Sequence, residues 1–195
     1  MPFLLVSILL CWLAYRYLGV LWLGGPIGLF VVLFLIFRDP RRQIPAVPLG
    51  VVSPVDGRVV AVDLVDQDVL QGEAHRVVIR INSLGAYTAR CPVEGKILDL
   101  RSVGSEPGME YRTNALWVQT DESDDVVLQF RGYRFGFAPK SFVRFGERVG
   151  QGSRCAYLRL ARFAEIYVSI DSKILVKAGQ KVVAGSDLLG KLPHP

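Results

Sequence analysis

The first 37 residues are almost continuously apolar, and Arg16 is the only charged residue among them. One apolar run extends from Phe3 to Tyr15. A second run of eighteen residues extends from Val20 to Phe37 and is interrupted at Gly24–Pro26. Because a helix rises about 1.5 Å per residue, eighteen residues roughly match the hydrocarbon core of a bilayer. The pattern predicts an N-terminal α-helical membrane hairpin over residues 1–37, either spanning or re-entrant.

Charged residues recur from Arg38 onward, and three prolines make residues 38–50 a stiff, extended linker. Beyond the linker, apolar residues alternate with polar ones or form β-branched runs, without sustained helical periodicity. Residues 51–195 are therefore expected to form a mostly β domain. A loop is predicted at Gly104–Thr113 and a charged hairpin tip at Asp121–Asp125. The predicted strands are Arg58–Val65, Arg76–Ile81, Lys96–Leu100, Ala115–Gln119, Val126–Phe130, Ala156–Leu160 and Ala164–Ile170.

Two short motifs recur within the β region. The order Pro-Val-acid-Gly occurs at residues 54–57 and again thirty-eight residues later at 92–95. In each copy Pro presets one backbone angle, and Gly is expected to supply the positive φ that closes a turn leading into a strand. The order Gly-x-x-Val-x-x-Gly occurs at 146–152 and again thirty-three residues later at 179–185. Paired motifs predict an approximately two-fold β architecture. It resembles the barrel-sandwich hybrid of biotinyl and lipoyl carrier domains.

Composition narrows the classes of partner and site. A net charge of +5 without clustering argues against nucleic acid and favours an anionic membrane surface. The arginines 38, 41 and 42 directly follow the apolar segment, so the β domain is expected on the cytoplasmic side of the inner membrane. Three cysteines without ligand spacing argue against a metal site. Neither His75 nor His194 lies in a recognisable catalytic motif.

Taken in order, the motifs resemble those of the short, membrane-anchored form of phosphatidylserine decarboxylase. The resemblance covers nearly the whole chain, from the apolar N-terminus to the two glycine turns. Its other segments are Phe37-Arg38-Asp39-Pro40, Gly50–Gly57, Arg90–Lys96 and Glu110–Asn114.

Members of that family make their own cofactor. A serine preceded by glycine attacks the carbonyl before it, the backbone breaks through an ester, and elimination leaves a pyruvoyl group. That ketone forms a Schiff base with the substrate amine and accepts the electrons released on decarboxylation. An aspartate in the first turn and a histidine before the second turn are implied to assist the cleavage.

The resemblance assigns Arg162 to the position of the self-cleaving serine, with Ala161 in place of the preceding glycine. Counting from Gly152, both the decarboxylase pattern and the biotinyl pattern reach this residue, at a predicted hairpin tip. Arginine stays protonated and is not a nucleophile, so no pyruvoyl cofactor is expected unless the chain is active at another residue. Tyr87 occupies the histidine position. Asp56 is retained, and the resemblance implies a catalytic role for it only in an active chain.

Three hypotheses follow. The first is a catalytically degenerate, membrane-tethered relative that binds a phospholipid headgroup through Arg162, Arg90 and Tyr87, or that serves as a subunit or regulator of another membrane protein. The second is an active decarboxylase producing phosphatidylethanolamine. The third is a protein-binding scaffold, in which Arg162 is an ordinary solvated charge.

The second hypothesis needs a different serine. Gly152-Ser153-Arg154 resembles the family's Gly-Ser-Arg, although it lies nine residues early, inside the glycine turn. Ser186 follows the second turn as Ser153 follows the first, which favours an ordinary turn role for both. Gly104-Ser105 is the remaining pair outside these turns.

Overall fold

The computed structural model describes residues 2–18, 23–37, 39–67, 70, 72–99, 115–133, 139–158 and 160–193. The predicted loop at Gly104–Thr113, the motif at Glu110–Asn114 and His194 lie outside this description. The chain divides into two compact units, Met1–Pro40 and Arg41–Pro195.

The N-terminal unit contains two helices, α1 (Pro2–Leu18) and α2 (Gly24–Phe37), which pack against each other. Large apolar side chains are exposed on both helices, among them Trp12 and Phe34. Two helices form where the sequence predicted them. The expected membrane crossing is not supported, because none of the helices in the described part of the chain is long and apolar enough to span a bilayer.

The second unit is mostly β, as the alternating pattern predicted. Its strands are β1 (Gly50–Val52), β2 (Gly57–Gln67), β3 (Gly72–Ile81), β4 (Thr88–Arg90), β5 (Gly95–Asp99), β6 (Ala115–Gln119), β7 (Asp125–Arg131), β8 (Lys140–Ser141), β9 (Arg148–Val149), β10 (Arg154–Tyr157), β11 (Phe163–Ser169), β12 (Lys173–Ile174), β13 (Lys181–Val182) and β14 (Leu188–Lys191). An eight-stranded sheet has the order β13-β2-β3-β11-β7-β6-β5-β9, and two three-stranded sheets have the orders β1-β14-β12 and β4-β10-β8. The described strands do not form a closed barrel.

The two repeated motifs make equivalent backbone contacts. The Val59 amide donates to the Gln180 carbonyl at 2.9 Å, and the Ile97 amide donates to the Glu147 carbonyl at the same distance. These pairs are related by the offsets of thirty-eight and thirty-three residues that the sequence repeats define. The unit therefore has an internal two-fold repeat.

The repeat extends to the ends of the glycine turns. The Gly185 amide donates to Ser53 at 2.7 Å, and the Gly152 amide donates to Cys91 at 2.8 Å. One half is the continuous segment β4–β10, which is inserted between β3 and β11 of the other half. The two halves meet in the middle of the large sheet, where Leu128 of β7 lies opposite Ile166 of β11.

The two faces of the large sheet differ. Its inner face and the two small sheets enclose the main core of Val, Ile, Leu and Ala side chains, including Ile79, Leu128 and Ile166. On the outer face, Tyr167 is buried with Val127, and its hydroxyl donates to Glu165 at 2.6 Å. Burial and this hydrogen bond raise the pKa of Tyr167 well above its usual range.

Within the described residues, which do not include Leu100, the predicted strands agree with the structure except at Ala156–Leu160. There β10 ends at Tyr157, and a turn follows in which the Ala161 amide donates to the Leu158 carbonyl at 3.1 Å. The chain must turn here because β10 and β11 belong to different sheets. Asp121–Asp124 does form the predicted hairpin turn between β6 and β7. The Thr120 amide donates to the Asp124 carbonyl, and the Thr120 carbonyl accepts from the Ser123 amide.

The glycines of the Pro-Val-acid-Gly turns are required for a reason other than the one predicted. Positive φ occurs in the other motif, for example 68° at Gly152 and 70° at Gly185, but not at Gly57 or Gly95. A Cβ atom on Gly57 would lie 2.2 Å from the Arg80 carbonyl oxygen. These glycines are needed because the backbone of the paired strand in the same sheet approaches each of them closely.

We expect Gly57→Ala and Gly95→Ala to destabilise the fold to a similar extent, by about 3 kcal/mol each, because the added methyl group meets backbone atoms. The second methyl group would lie 2.1 Å from the Gln119 carbonyl oxygen. Urea denaturation of the full chain measures this. Gly150→Ala is the control, since its Cβ would meet no atom within 4 Å. A loss as large in the control would contradict the close-approach explanation.

Candidate functional site

Asp56 lies in the turn between β1 and β2, and its carboxylate accepts three hydrogen bonds from three separate segments. Oδ1 accepts from the Ala184 amide at 2.8 Å. Oδ2 accepts from the Ala86 amide and from Arg42 Nη2, each at 2.8 Å. The side chain is 12% exposed. Asp56 thereby joins the segment after the helices, the loop after β3 and the second glycine turn.

Glu94, the repeat counterpart of Asp56, has a different environment. Its side chain is exposed, and within the described residues its carboxylate makes no hydrogen bond or salt bridge. It borders an open cleft of about 300 Å³, which Thr120 and Gln151 also line. The two copies share a backbone turn, but only Asp56 ties other segments together.

Arg162 lies next to the Asp56 turn through the backbone. Its carbonyl accepts a hydrogen bond from the Ile81 amide at 2.8 Å, and the next amide, that of Asn82, donates to the Asp56 carbonyl at 2.8 Å. On its other side, the Arg162 amide donates to Arg131 at 3.2 Å. The Arg162 side chain is exposed. Arg162 lies in the segment that crosses from the sheet of β10 to the sheet of β11. The prediction that it lies at a hairpin tip is therefore wrong.

Tyr87 lies between the Asp56-bound loop and the turn that leads to Arg162. Its carbonyl accepts a hydrogen bond from the Leu158 amide at 3.0 Å. Its ring packs against Tyr157 with 5.7 Å between centroids, and Tyr157 in turn contacts Phe142. The structure therefore brings Asp56, Tyr87 and Arg162 to one end of the fold.

Arg90, the fourth residue singled out in the sequence, has a buried position. It is 6% exposed, and its Nη1 donates to the Gly152 carbonyl at 3.0 Å. Its aliphatic chain covers Gly185, where an added Cβ would lie 2.7 Å from Arg90 Cδ. Arg90 thus braces the two glycine turns against each other from inside the fold.

Ser153 belongs to the first glycine turn, and its amide donates to the Gly150 carbonyl at 3.1 Å. Two buried cysteines, Cys91 and Cys155, lie beside it. A hydrogen bond with Cys155 lowers the pKa of Cys91, and Ser153 acts in the same direction. The same contact with Cys91, together with burial, raises the pKa of Cys155. Ser186 repeats the backbone contact of Ser153 in the second turn, to Val183 at 3.2 Å.

The sequence reasoning missed Arg42 as a partner of Asp56. Arg42 followed an apolar segment, so its charge was explained by membrane orientation. The contact of Ile44 with the first glycine turn was also missed, since a Cβ on Gly152 would lie 2.7 Å from Ile44 Cγ1. Residues 41–50 belong to the β unit. The contact between Arg42 and Asp56 joins residues fourteen positions apart, and such a contact leaves no periodic pattern in the sequence.

The arrangement separates two chemical roles. The Asp56 carboxylate is occupied by three donors, so it acts as an anchor for the surrounding backbone. The Arg162 guanidinium is exposed on a backbone that is fixed on both sides. Such a group can bind a phosphate or carboxylate through two parallel hydrogen bonds.

We expect Asp56→Asn to lower the free energy of unfolding by about 3 kcal/mol, because one amide cannot accept all three hydrogen bonds and carries no charge for Arg42. Arg42→Gln should cost less, since both backbone donors keep their acceptor. Thermal denaturation of the full chain measures the differences. Glu94→Gln is the matched control and should change stability by less than about 0.5 kcal/mol. Equal effects at the two positions would show that Asp56 is not an anchor.

Comparison with solved structures finds glucose permease IIA from Mycoplasma capricolum, with a TM-score of 0.47 and 21% identity over 73% of this chain and 94% of that chain. Likeness at this level supports no conclusion about the present protein.

Comparison of sequences is more specific. The profile of phosphatidylserine decarboxylase matches residues 29–122. The phosphatidylserine decarboxylase proenzyme of Nitrosomonas europaea is 33% identical over 174 residues, which cover 85% of this chain and 79% of the relative. The proenzyme of Burkholderia ambifaria is 30% identical over 202 residues, covering 98% and 93%. The chain belongs to the phosphatidylserine decarboxylase family.

Proposed function

We propose that this protein is a membrane-associated member of the family that does not cleave itself and that binds a phospholipid headgroup through Arg162. The observation that carries the proposal is the exposed guanidinium beside the Asp56 turn, at the position that the family resemblance assigns to the self-cleaving serine. Self-cleavage and pyruvoyl formation both require a hydroxyl oxygen at that position. Arginine has none.

The groups around Arg162 support the same conclusion. Three of the roughly four acceptor positions of the Asp56 carboxylate are already used by Arg42 and two backbone amides. Tyr87 replaces the histidine that the resemblance implies, and its ring is packed against Tyr157. The chain therefore keeps the backbone arrangement of the site. Arg162 and Tyr87 replace the serine and the histidine, and the Asp56 carboxylate is engaged by other donors.

Arg162 is suited to binding a phosphate group. Its backbone is hydrogen-bonded on both sides, to Arg131 and Ile81, so the backbone loses little further freedom on binding and the entropic cost is confined to the side chain. Tyr87 borders the same end of the fold. Arg90 is buried against Gly152, and in this proposal it supports the glycine turns and does not contact the headgroup.

The apolar helices provide the membrane association. Exposed apolar side chains such as Trp12, Val32 and Phe34 favour a lipid environment over water. Together with the basic segment that follows, they support the inner membrane as the location, with the β unit on the cytoplasmic side.

The paired turns likewise support the barrel-sandwich-hybrid interpretation of the β unit. Regulation of another membrane protein is a further role that fits this arrangement.

We expect the purified full chain to have the intact mass of its sequence, because the family's nucleophile is replaced by Arg162. Intact mass spectrometry tests this directly, and treatment with a hydride reagent should trap no pyruvoyl adduct. Two fragments, or an adduct, would contradict the proposal.

A second candidate function, the active decarboxylase, is favoured by one contact. Arg90 donates to the carbonyl of Gly152, the group that Ser153 would attack, and such a donor would stabilise negative charge developing on that oxygen. In that case the protein would yield a fragment of residues 153–195, and Ser153→Ala would abolish it. An unfragmented wild-type chain excludes this candidate.

We expect Arg162→Ala to weaken binding of short-chain phosphatidylserine by roughly tenfold or more, because charge-assisted hydrogen bonds contribute about 1.5–3 kcal/mol. Arg162→Lys should bind with intermediate affinity, since an ammonium group keeps the charge but not the paired donors. Titration calorimetry measures both. Arg144→Ala, at an exposed arginine two residues before the first glycine turn, is the control. Unchanged binding by Arg162→Ala would favour the scaffold hypothesis.

A further inference from the structure

A row of exposed cations crosses three strands on the outer face of the large sheet. Lys181 of β13 lies directly opposite Arg58 of β2, and Arg58 lies directly opposite Arg80 of β3. Directly opposed residues in a sheet project from the same face, so these three side chains are neighbours. All three are exposed, and within the described residues no salt bridge joins any of them to a carboxylate.

The next positions of the same row extend the pattern. Phe163 of β11 follows Arg80, and Arg131 of β7 follows Phe163. Arg131 is neutralised by Glu165, with Nε 3.0 Å from Oε2. The three uncompensated cations therefore lie together on one side of Phe163. Like charges directly opposed across strands are destabilising by themselves, and an anionic partner would relieve that repulsion.

Two exposed leucines lie at the end of the sheet to which this row belongs. Leu84 is 67% exposed in the loop that follows β3, and Leu160 is 46% exposed in the turn that precedes β11. The Leu158 amide joins the two segments through its hydrogen bond to the Tyr87 carbonyl. Arg80 and Phe163, opposite each other in the row, lie at the ends of these same strands.

We infer that this end of the sheet is a docking surface for an anionic bilayer, with Leu84 and Leu160 entering the headgroup region and Arg58, Arg80 and Lys181 facing lipid phosphates. Exposed apolar tips beside uncompensated cations are the combination that an anionic interface binds, since the apolar groups leave water while the cations remain at the surface. The inference goes beyond headgroup binding at Arg162 and does not require it. It determines which face of the β unit meets the membrane.

The first test follows the loop itself, because the apolar helices also associate with lipid. The full chain carrying Cys11→Ser and Leu84→Cys is labelled with an environment-sensitive fluorophore, since Cys91 and Cys155 are fully buried. Phosphatidylcholine vesicles containing phosphatidylglycerol should shift its emission to the blue, and vesicles of phosphatidylcholine alone should shift it less. A label at Glu122→Cys, on the repeat-related tip between β6 and β7, should remain in water. Vesicle-bound protein with an unshifted Leu84 label would overturn the inference.

The second test concerns the cations. Arg58→Gln/Arg80→Gln should weaken binding to the anionic vesicles by roughly 25-fold, about fivefold for each cation removed. Lys173→Gln/Lys191→Gln removes two exposed, directly opposed cations from a different sheet and is the matched control. Circular dichroism checks that both variants fold. An equal loss in the control would mean that only net charge matters. Unchanged binding by the row variant would assign the row to another occupant, such as an acidic protein. Either result overturns the inference.

Discussion

The Asp56 carboxylate is the interaction on which the rest of the site depends. It receives hydrogen bonds from Arg42, Ala86 and Ala184, which lie in segments far apart along the chain. Such an anchor fixes the loop after β3, and that loop in turn supports Tyr87 and the turn before Arg162. A carboxylate used in this way gains its value from the charge-assisted bonds that it accepts. Asp56 can therefore hold this end of the fold in place without taking part in any reaction.

The internal repeat explains how a residue of catalytic type can become structural. The two halves share backbone contacts at the Pro-Val-acid-Gly turns, yet Glu94 is exposed where Asp56 is held by three donors. The backbone turn is therefore common to both halves, whereas the side chain at its tip joins other segments only in the first copy. The same separation applies at residue 162, where the strand pairing of β11 with β3 persists although the side chain carries no nucleophile.

Much of this architecture could be predicted because it depends on local patterns. Alternation of apolar and polar residues located most of the longer strands, and the offsets between motifs revealed the two-fold repeat. Properties that depend on distant neighbours could not be predicted. Arg90 lies in a strand pattern that gives no sign of burial, and its partner Gly152 is sixty-two residues away. Ala156–Leu160 has the composition of a strand, but the chain turns there because the two adjoining strands belong to different sheets.

The position of β11 in the large sheet has a topological consequence. This strand is hydrogen-bonded to β3 on one side and to β7 on the other, while the peptide segment that connects it to β10 passes from one sheet to another. The covalent connection between β10 and β11 thus contributes little to holding β11 in place. We expect a chain of this topology, cut at that segment, to stay folded through these strand pairings, so continuity of the backbone and integrity of the fold are separate properties of this architecture.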